Sequence, residues 1–317
     1  MTIERTNWRK RGSIKGISLN DSGPETVMAG SSAPSPPRVI AFQGLPGAYS
    51  DLACREVFPR MATLPCPAFE DAIAAVRNGR ARLAMLPIEN SIAGRVADIH
   101  HLLPESGLHI VGEHFHRVKH HLLAPKGSSL KTIATVRSHV HALGQCRKAI
   151  RALKLKPVTV ADTAGAAAEI AERGDPSEAA IASELAAKIY GLVSLKADIE
   201  DADHNTTRFL IMARKPKIAV NKGVVITTFV FRVRNVPAAL YKGLGGFATN
   251  GVNMTKLESY MVEGRFTATR FYADVEGHPR DRNLQLALEE LSFFSHEVTI
   301  LGVYPGHEFR LTQKGAG

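Results

Sequence analysis

The sequence predicts an α/β protein in two parts, and two observations carry that expectation. From Val39 to Met212, short apolar runs alternate with helical segments, the pattern of a mostly parallel sheet flanked by helices. Beyond Lys222 the order becomes strand, helix, strand, strand, helix, strand over about 80 residues, a ferredoxin-like βαββαβ unit.

Composition sets the outer limits. The 317 residues suffice for two domains, and 44% hydrophobic with 22% charged residues is ordinary for a globular chain. No apolar run approaches the ~20 residues that span a bilayer, so no membrane partner is expected. Residues 1–37 lack the continuous apolar segment of a secretory signal. Three cysteines (Cys54, Cys66, Cys146) form an odd set without CxxC spacing. This argues against a disulfide framework or zinc knuckle and for a reducing cytoplasm. The net charge of +10 is spread along the chain, which holds one Trp, rather than gathered in a stripe interleaved with aromatics. No nucleic-acid partner is expected; the charge suits steering of small anionic substrates.

Taken in order, residues 1–37 are rich in Ser, Pro and Gly without apolar periodicity and read as a disordered tail. The Arg9-Lys10-Arg11 cluster is offset by Glu4, Asp21 and Glu25, unlike acid-poor targeting peptides. Val39–Phe42 is a strand, followed by the turn Gly44–Ser50 and a helix to about Phe58. Such a junction favours anions, because the first helical amides have no partner inside the helix. Its glycine spacing is not that of a nucleotide P-loop.

The arrangement recurs. Arg82–Ile88 is a buried strand with Glu89-Asn90-Ser91 ahead of the helical Val96–Leu103. Thr132–Val136 is a strand, and Ser138 stands at the N-cap position of a helix to about Arg151. Val158–Ala161 leads to Asp162-Thr163-Ala164-Gly165, which open the helix Ala166–Arg173. Ala179–Ala182 leads to Ser183-Glu184 and a further helix. Loops at the carboxyl ends of such strands gather in one crevice, where ligands bind. Each helix terminus favours an anion by ~0.3–1 kcal/mol, so several together suit a ligand with more than one carboxylate. Each Ser or Thr reads equally as a helix cap.

Ser138 and Gln145 are two turns apart, about 10 Å along one helix face. They read either as groove-lining residues or as a cap and a solvated side chain. The histidines His100, His101, His114, His116, His120, His121, His139 and His141 need a reading of their own. His114 and His116 share one side of a strand, a spacing that can hold a metal. No nearby Cys or acid completes a set, and no metal is expected. Asn205-Thr206-Thr207-Arg208 precede the buried run Phe209–Met212, placing hydroxyls, an amide and a guanidinium where a strand enters the core.

After Arg214, residues 215–223 read as a linker. Val225–Val233 is a strand with Phe229, Phe231 and Val233 on one face. Pro237–Asn250 is a helix with Leu240, Leu244 and Phe247 at i, i+4, i+7, closed by Gly251. Val252–Val262 and Arg265–Glu276 form a hairpin around Glu263-Gly264. Arg280–Ser295 is a second helix, and Glu297–Tyr304 the last strand.

Five motifs now come together. They are Gly44-Leu45-Pro46-Gly47-Ala48-Tyr49-Ser50; Leu86-Pro87-Ile88-Glu89-Asn90-Ser91; Ser138-His139 with Ala142-Leu143 and Gln145-Cys146; Thr163-Ala164-Gly165-Ala166-Ala167; and Asn205-Thr206-Thr207-Arg208-Phe209. In this order the chain resembles the prephenate dehydratase family from Val39 to about Tyr304.

The resemblance implies a bilobed, periplasmic-binding-protein-like catalytic domain at 38–214, a linker at 215–223 and an ACT regulatory domain at 224–305, with 306–317 a tail. It implies decarboxylation and dehydration of prephenate to phenylpyruvate, towards phenylalanine, with no metal or organic cofactor. By the family pattern Thr207 meets the leaving hydroxyl, and Arg208 holds a carboxylate or braces the loop. Asn90, Ser138 and Gln145 orient substrate, and Glu89 positions Asn90. Tyr49, Ser50, Ser91, His139, Thr163, Ala164, Gly165, Asn205 and Phe209 stand in the motifs that surround it.

The resemblance also implies L-phenylalanine as effector between two ACT domains of a homodimer or homotetramer, near Ala238, Ala239, Leu240, Asn253, Glu258 and Ser259. Two departures bear on this. Ala238-Ala239-Leu240 stand where the family has Gly-Ala-Leu, and Glu258-Ser259-Tyr260-Met261 where it has Glu-Ser-Arg-Pro. A third departure is Val140-His141 in place of Pro-Gln after Ser138-His139. No chorismate mutase helices are expected before Val39, so a monofunctional enzyme is the expectation. Arogenate dehydratase is an alternative, as is a non-catalytic amino-acid sensor. Retention of Thr207, Arg208, Asn90 and Ser138 argues against the sensor.

Overall fold

The computed structural model describes residues 13–16, 38–234, 236–261 and 268–313. Most of the expected N-terminal tail, the Glu263-Gly264 turn and the last residues of the chain lie outside the described residues. In chain order the elements are β1 (Ser13–Lys15), β2 (Val39–Gln43), α1 (Tyr49–Val57), β3 (Ala62–Cys66), α2 (Phe69–Arg77), β4 (Leu83–Asn90), β5 (Gly94–Arg95), α3 (Ala97–Leu102), β6 (His109–Arg117) and β7 (His121–Ala124). There follow β8 (Thr135–Ser138), α4 (Val140–Gln145), α5 (Arg147–Ala152), β9 (Lys156–Thr159), α6 (Thr163–Arg173), β10 (Glu178–Ala182), α7 (Glu184–Tyr190), β11 (Val193–Lys196) and β12 (Thr206–Ala213). The last are β13 (Val225–Val233), α8 (Ala239–Thr249), β14 (Met254–Met261), β15 (Ala268–Glu276), α9 (Arg282–Phe294), β16 (Ser295–Pro305) and α10 (Phe309–Gln313).

The chain forms two compact units, and they are not contiguous in sequence. A central unit holds the described residues of 36–99 and 114–211; a C-terminal unit holds the described residues of 1–35, 100–113 and 212–317. His100–Glu113, expected within the segment 38–214, therefore groups with the C-terminal residues.

The central unit is bilobed, with one sheet to each lobe. The first sheet has the order β12-β4-β2-β3. Its strands β2 and β4 bury Ile40, Ala41, Phe42, Ala84, Met85, Leu86 and Ile88 completely. Burial on both faces is what a continuous apolar run in a helix-covered parallel sheet provides, and β2 pairs in parallel with both β3 and β4.

The second sheet has the order β11-β7-β10-β8-β9. Here the mostly parallel expectation fails in part: β7 pairs antiparallel with β10 and β11. No helical crossover leads into β7, and only a parallel partner would require one. Successive residues of its strands serve opposite faces. Leu122 and Ile181 pack with Cys146 and Ile150 of the α4–α5 side, while Leu123, Ala180 and Ala182 pack with Ala166 and Ile170 of α6.

The turn Gly44–Ser50 is fixed against α7. Gly47 has φ +89°, and a Cβ there would stand 2.8 Å from Ala186 Cα, so both conformation and approach require glycine. Ser183 Oγ donates to the Gly47 carbonyl at 2.6 Å, and Tyr190 OH donates to Pro46 at 2.8 Å.

In the C-terminal unit the βαββαβ expectation holds, with strand order β14-β15-β13-β16. One face carries α8 and α9 over Phe229, Phe231, Phe247, Phe271, Leu284, Leu288, Leu291 and Val298. Three expectations are corrected here. Ser13–Lys15 of the supposed tail is a strand, paired in parallel with Glu297–Thr299 of β16. Part of the supposed linker is packed: Ile218 and Ala219 lie on the core, and Ala219 N–H donates to the Val303 carbonyl. Within the supposed tail 306–317, Arg310 of α10 grips the fully buried Glu113 side chain through Nε at 2.6 Å and Nη2 at 2.8 Å. A carboxylate without access to water needs such a bidentate partner.

Candidate active site

The central unit brings Asn90, Thr207, Asn205, Gln145, His120 and Tyr49 into one hydrogen-bonded chain. Asn90 stands at the end of β4, where its side-chain oxygen accepts from the amides of Ile92 (3.0 Å) and Ala93 (2.8 Å). Backbone N–H groups only donate, so this atom is the amide oxygen and the other is the NH2. That nitrogen donates to Asn205 Oδ1 at 2.7 Å and to Thr207 Oγ1 at 2.9 Å.

The direction of the remaining bonds follows. Asn205, 1% exposed, has its oxygen towards Asn90, so its nitrogen donates to Gln145 Oε1 at 2.9 Å. Gln145 Oε1 also receives His120 Nε2 at 2.8 Å, so Nε2 carries the proton and Nδ1 is the acceptor. Tyr49 OH lies 2.7 Å from that Nδ1 and 2.9 Å from the Lys119 carbonyl. Neutral imidazole is what this arrangement needs. His120 is 2% exposed, and burial lowers its pKa from the ordinary 6.5, against smaller opposing effects of Gln145 and Glu200. Burial also raises the Tyr49 hydroxyl well above its ordinary range, keeping it protonated. Two backbone amides thus orient a chain that ends at Thr207, which accepts from Asn90 and keeps its own proton for donation.

Several expected roles are corrected. Ser138 does not cap a helix or line a groove: it ends β8, is fully buried, and donates to the Ile181 carbonyl of β10 at 2.6 Å. His139 is the cap of α4, its Nδ1 accepting from His141 N–H. Ser138 and Gln145 therefore share no helix face. Glu89 Oε1 pairs with Arg208 Nη1 at 2.9 Å. Arg208 is 3% exposed and lies over the Phe115 ring at 5.9 Å.

Two of the helix termini carry their own side-chain caps. Asp162 caps α6 by accepting from Gly165 N–H at 2.6 Å, with Thr163 partly exposed and Ala164 buried. Ser183 caps α7 at Ala186 N–H, and Asp51 accepts from Gly47 N–H at 2.9 Å beside α1. In α6 and α7 one first-turn amide each is thus taken by the helix's own cap, while α1 has no side-chain cap. Ser91 ties the end of β4 to β12, donating to His204 O and accepting from Thr206 N–H. Ser50 is buried in the first turn of α1, and Phe209 is core.

His120 is the residue whose part sequence reasoning missed. Its signal was available: in Lys119-His120-His121, the strand that follows buries Leu122, Leu123 and Ala124, so one of two adjacent imidazoles had to turn inward.

In the C-terminal unit, Ala238 precedes α8 with φ +61°, Ala239 is buried and Leu240 packs on the core. Asn253 Nδ2 donates to Glu276 Oε2 at 3.2 Å. Glu258 pairs with Lys256, and as neighbours on β14, Glu258 and Ser259 face opposite sides of the sheet.

A bilobed α/β unit holding an oriented hydroxyl, followed by a βαββαβ unit, defines the class of two-part proteins that act on small molecules. The chain belongs to the prephenate dehydratase family, whose model matches residues 40–217. It is 57% identical over 274 residues to a bifunctional N-acyl-homoserine lactone acylase/prephenate dehydratase of Komagataeibacter europaeus, covering 86% of this chain and 98% of that one. It is 39% identical over 275 residues to an arogenate dehydratase/prephenate dehydratase of Arabidopsis thaliana, covering 84% and 72%. The solved structure of prephenate dehydratase from Arthrobacter aurescens in complex with L-Phe superposes with TM-score 0.78 at 31% identity, covering 84% and 90%.

Proposed function

We propose that the chain converts prephenate to phenylpyruvate, with Thr207 as hydrogen-bond donor to the departing oxygen. The observation that carries this reading is the direction of the bond from Asn90 Nδ2 to Thr207 Oγ1. In the reaction the ring carboxylate leaves as CO2, its electron pair enters the ring, and the C4–oxygen bond breaks. The departing hydroxide takes a proton and leaves as water, and the ring becomes aromatic. A positioned donor at that oxygen contributes about 10²–10⁴-fold. Asn90 and Gln145 hold the donor, while Arg208, Glu89 and Ser138 are positioning residues.

L-phenylalanine is the proposed effector, supported by the L-Phe complex of the Arthrobacter relative. A homodimer, or a tetramer, through the C-terminal unit is supported by the open edge strand β14. Leu257 and Met261 of that strand and Tyr241 of α8 are exposed. A cytoplasmic place agrees with three buried free thiols. Among the described residues no helix is long and apolar enough to cross a membrane.

The test is phenylpyruvate formation from prephenate, with and without phenylalanine. Turnover that falls as phenylalanine saturates is expected; no turnover removes the catalytic reading, and unchanged turnover removes the effector. The Arabidopsis relative's double name makes arogenate the competing substrate, decided by comparing kcat/KM for the two acids.

The Komagataeibacter relative, matched over nearly its whole length, favours a second reading: amide hydrolysis of N-acyl-homoserine lactones. Water adds to the acyl carbonyl, the C–N bond breaks, and a fatty acid and homoserine lactone leave. Mass spectrometry of the products decides it, and intact substrate after many prephenate turnovers would exclude it.

A further inference from the structure

We propose that Glu56, His114 and His116 form a binding site for a divalent transition metal of the zinc class. The two histidines alternate on β6 and present their rings to the same side. The acid that the local sequence lacks comes from the last turns of α1. Glu56 Oε2 lies 3.2 Å from His114 Nε2 and 2.9 Å from His116 Nδ1. The three donor atoms all lie within 4.8 Å of one another. A metal bound at ~2.0–2.2 Å to imidazole nitrogen and carboxylate oxygen sets neighbouring donors roughly 3.0–3.4 Å apart. The spacings of Glu56 to His114 and to His116 lie close to that range.

A metal would take the place of the two Glu56–imidazole contacts. The donor set, two imidazoles and a carboxylate, suits zinc, cobalt or nickel rather than calcium or magnesium. Exposure is uneven: the histidine side chains are 15% and 10% exposed and Glu56 41%, so water can complete the shell from the carboxylate side. Protein ligands numbering three with an open side are typical of sites that exchange a ligand.

The site also adjoins the hydrogen-bonded chain. The His116 ring lies 6.1 Å from the Tyr49 ring, whose hydroxyl serves His120. Occupancy would fix α1 to β6 beside that tyrosine.

The test is zinc titration of the chelator-treated full chain by calorimetry, with cobalt absorption as a second readout of the ligand set. One equivalent bound at micromolar or tighter dissociation constant is expected. Glu56→Gln, His114→Asn and His116→Asn should each weaken it at least tenfold, and His141→Asn, in the other close histidine pair, should not. Thermal melting of each apo variant shows that it is folded, and a variant that is not is replaced by the remaining two. Absence of micromolar binding, or binding that survives all three substitutions, overturns the proposal and leaves a hydrogen-bonded brace.

Discussion

Asn90 Nδ2 stands 2.9 Å from Thr207 Oγ1, and the amides of Ile92 and Ala93 fix which end of the Asn90 side chain faces it. The direction of that bond decides whether the threonine can give its proton to another molecule. Asn90→Asp preserves shape and keeps an acceptor for both amides but presents a carboxylate oxygen to Thr207. The threonine proton then turns inward. We expect kcat for prephenate to fall by about 10²-fold, the low end of donor contributions, with KM changed much less. Steady-state kinetics check this, and a pure KM effect would contradict it.

His120 gives the chain a pH dependence. Its folded pKa lies below 6.5 because burial disfavours the charged ring. As pH falls through about 6.5 the unfolded chain takes up a proton that the folded chain resists. The stability this group contributes is therefore full above 6.5 and declines from there down to the folded pKa. Activity should hold to below pH 6.5 and fall only when Nδ1 gains a proton and no longer accepts from Tyr49. Nuclear magnetic resonance titration of His120, set beside the pH–rate profile, tests both statements. Titration at or above 6.5 would contradict them.

Ala238 pays a conformational penalty at φ +61°, where the family pattern has glycine. A Cβ in the left-handed region costs about 1–2 kcal/mol, and the greater freedom of unfolded glycine takes back about 0.4–1. Ala238→Gly should thus stabilise the C-terminal unit by about 0.5–1 kcal/mol. A rise in its urea midpoint with unchanged slope is the expected reading.

The parts of this molecule legible in the sequence are those set by local pattern. The apolar runs of β2 and β4, the alternation of Phe229, Phe231 and Val233, and the five motifs placed Asn90, Gln145, Asn205 and Thr207 together. What failed depends on partners far along the chain. A serine between a strand and a helix reads as a cap, yet Ser138 serves Ile181, 43 residues away. Open helix termini were expected beside Thr163 and Ser183, but the caps Asp162 and Ser183 each take one of the amides there. Asp162 and Ser183 occupy the position where ligand-binding and capping residues look alike. His114 and His116 seemed to lack an acid because Glu56 lies 58 residues before the first of them. Arg208 reads as suited to substrate or brace, and its pairing with Glu89 is invisible locally because 119 residues separate the two.

The most direct measurement is prephenate turnover by Thr207→Ala beside Thr207→Ser. The alanine variant is expected to lose about 10²–10⁴-fold in kcat while the serine variant, which keeps a hydroxyl within reach of Asn90, retains most of it. An alanine variant that turns over prephenate at the parent rate would contradict the role given to Thr207.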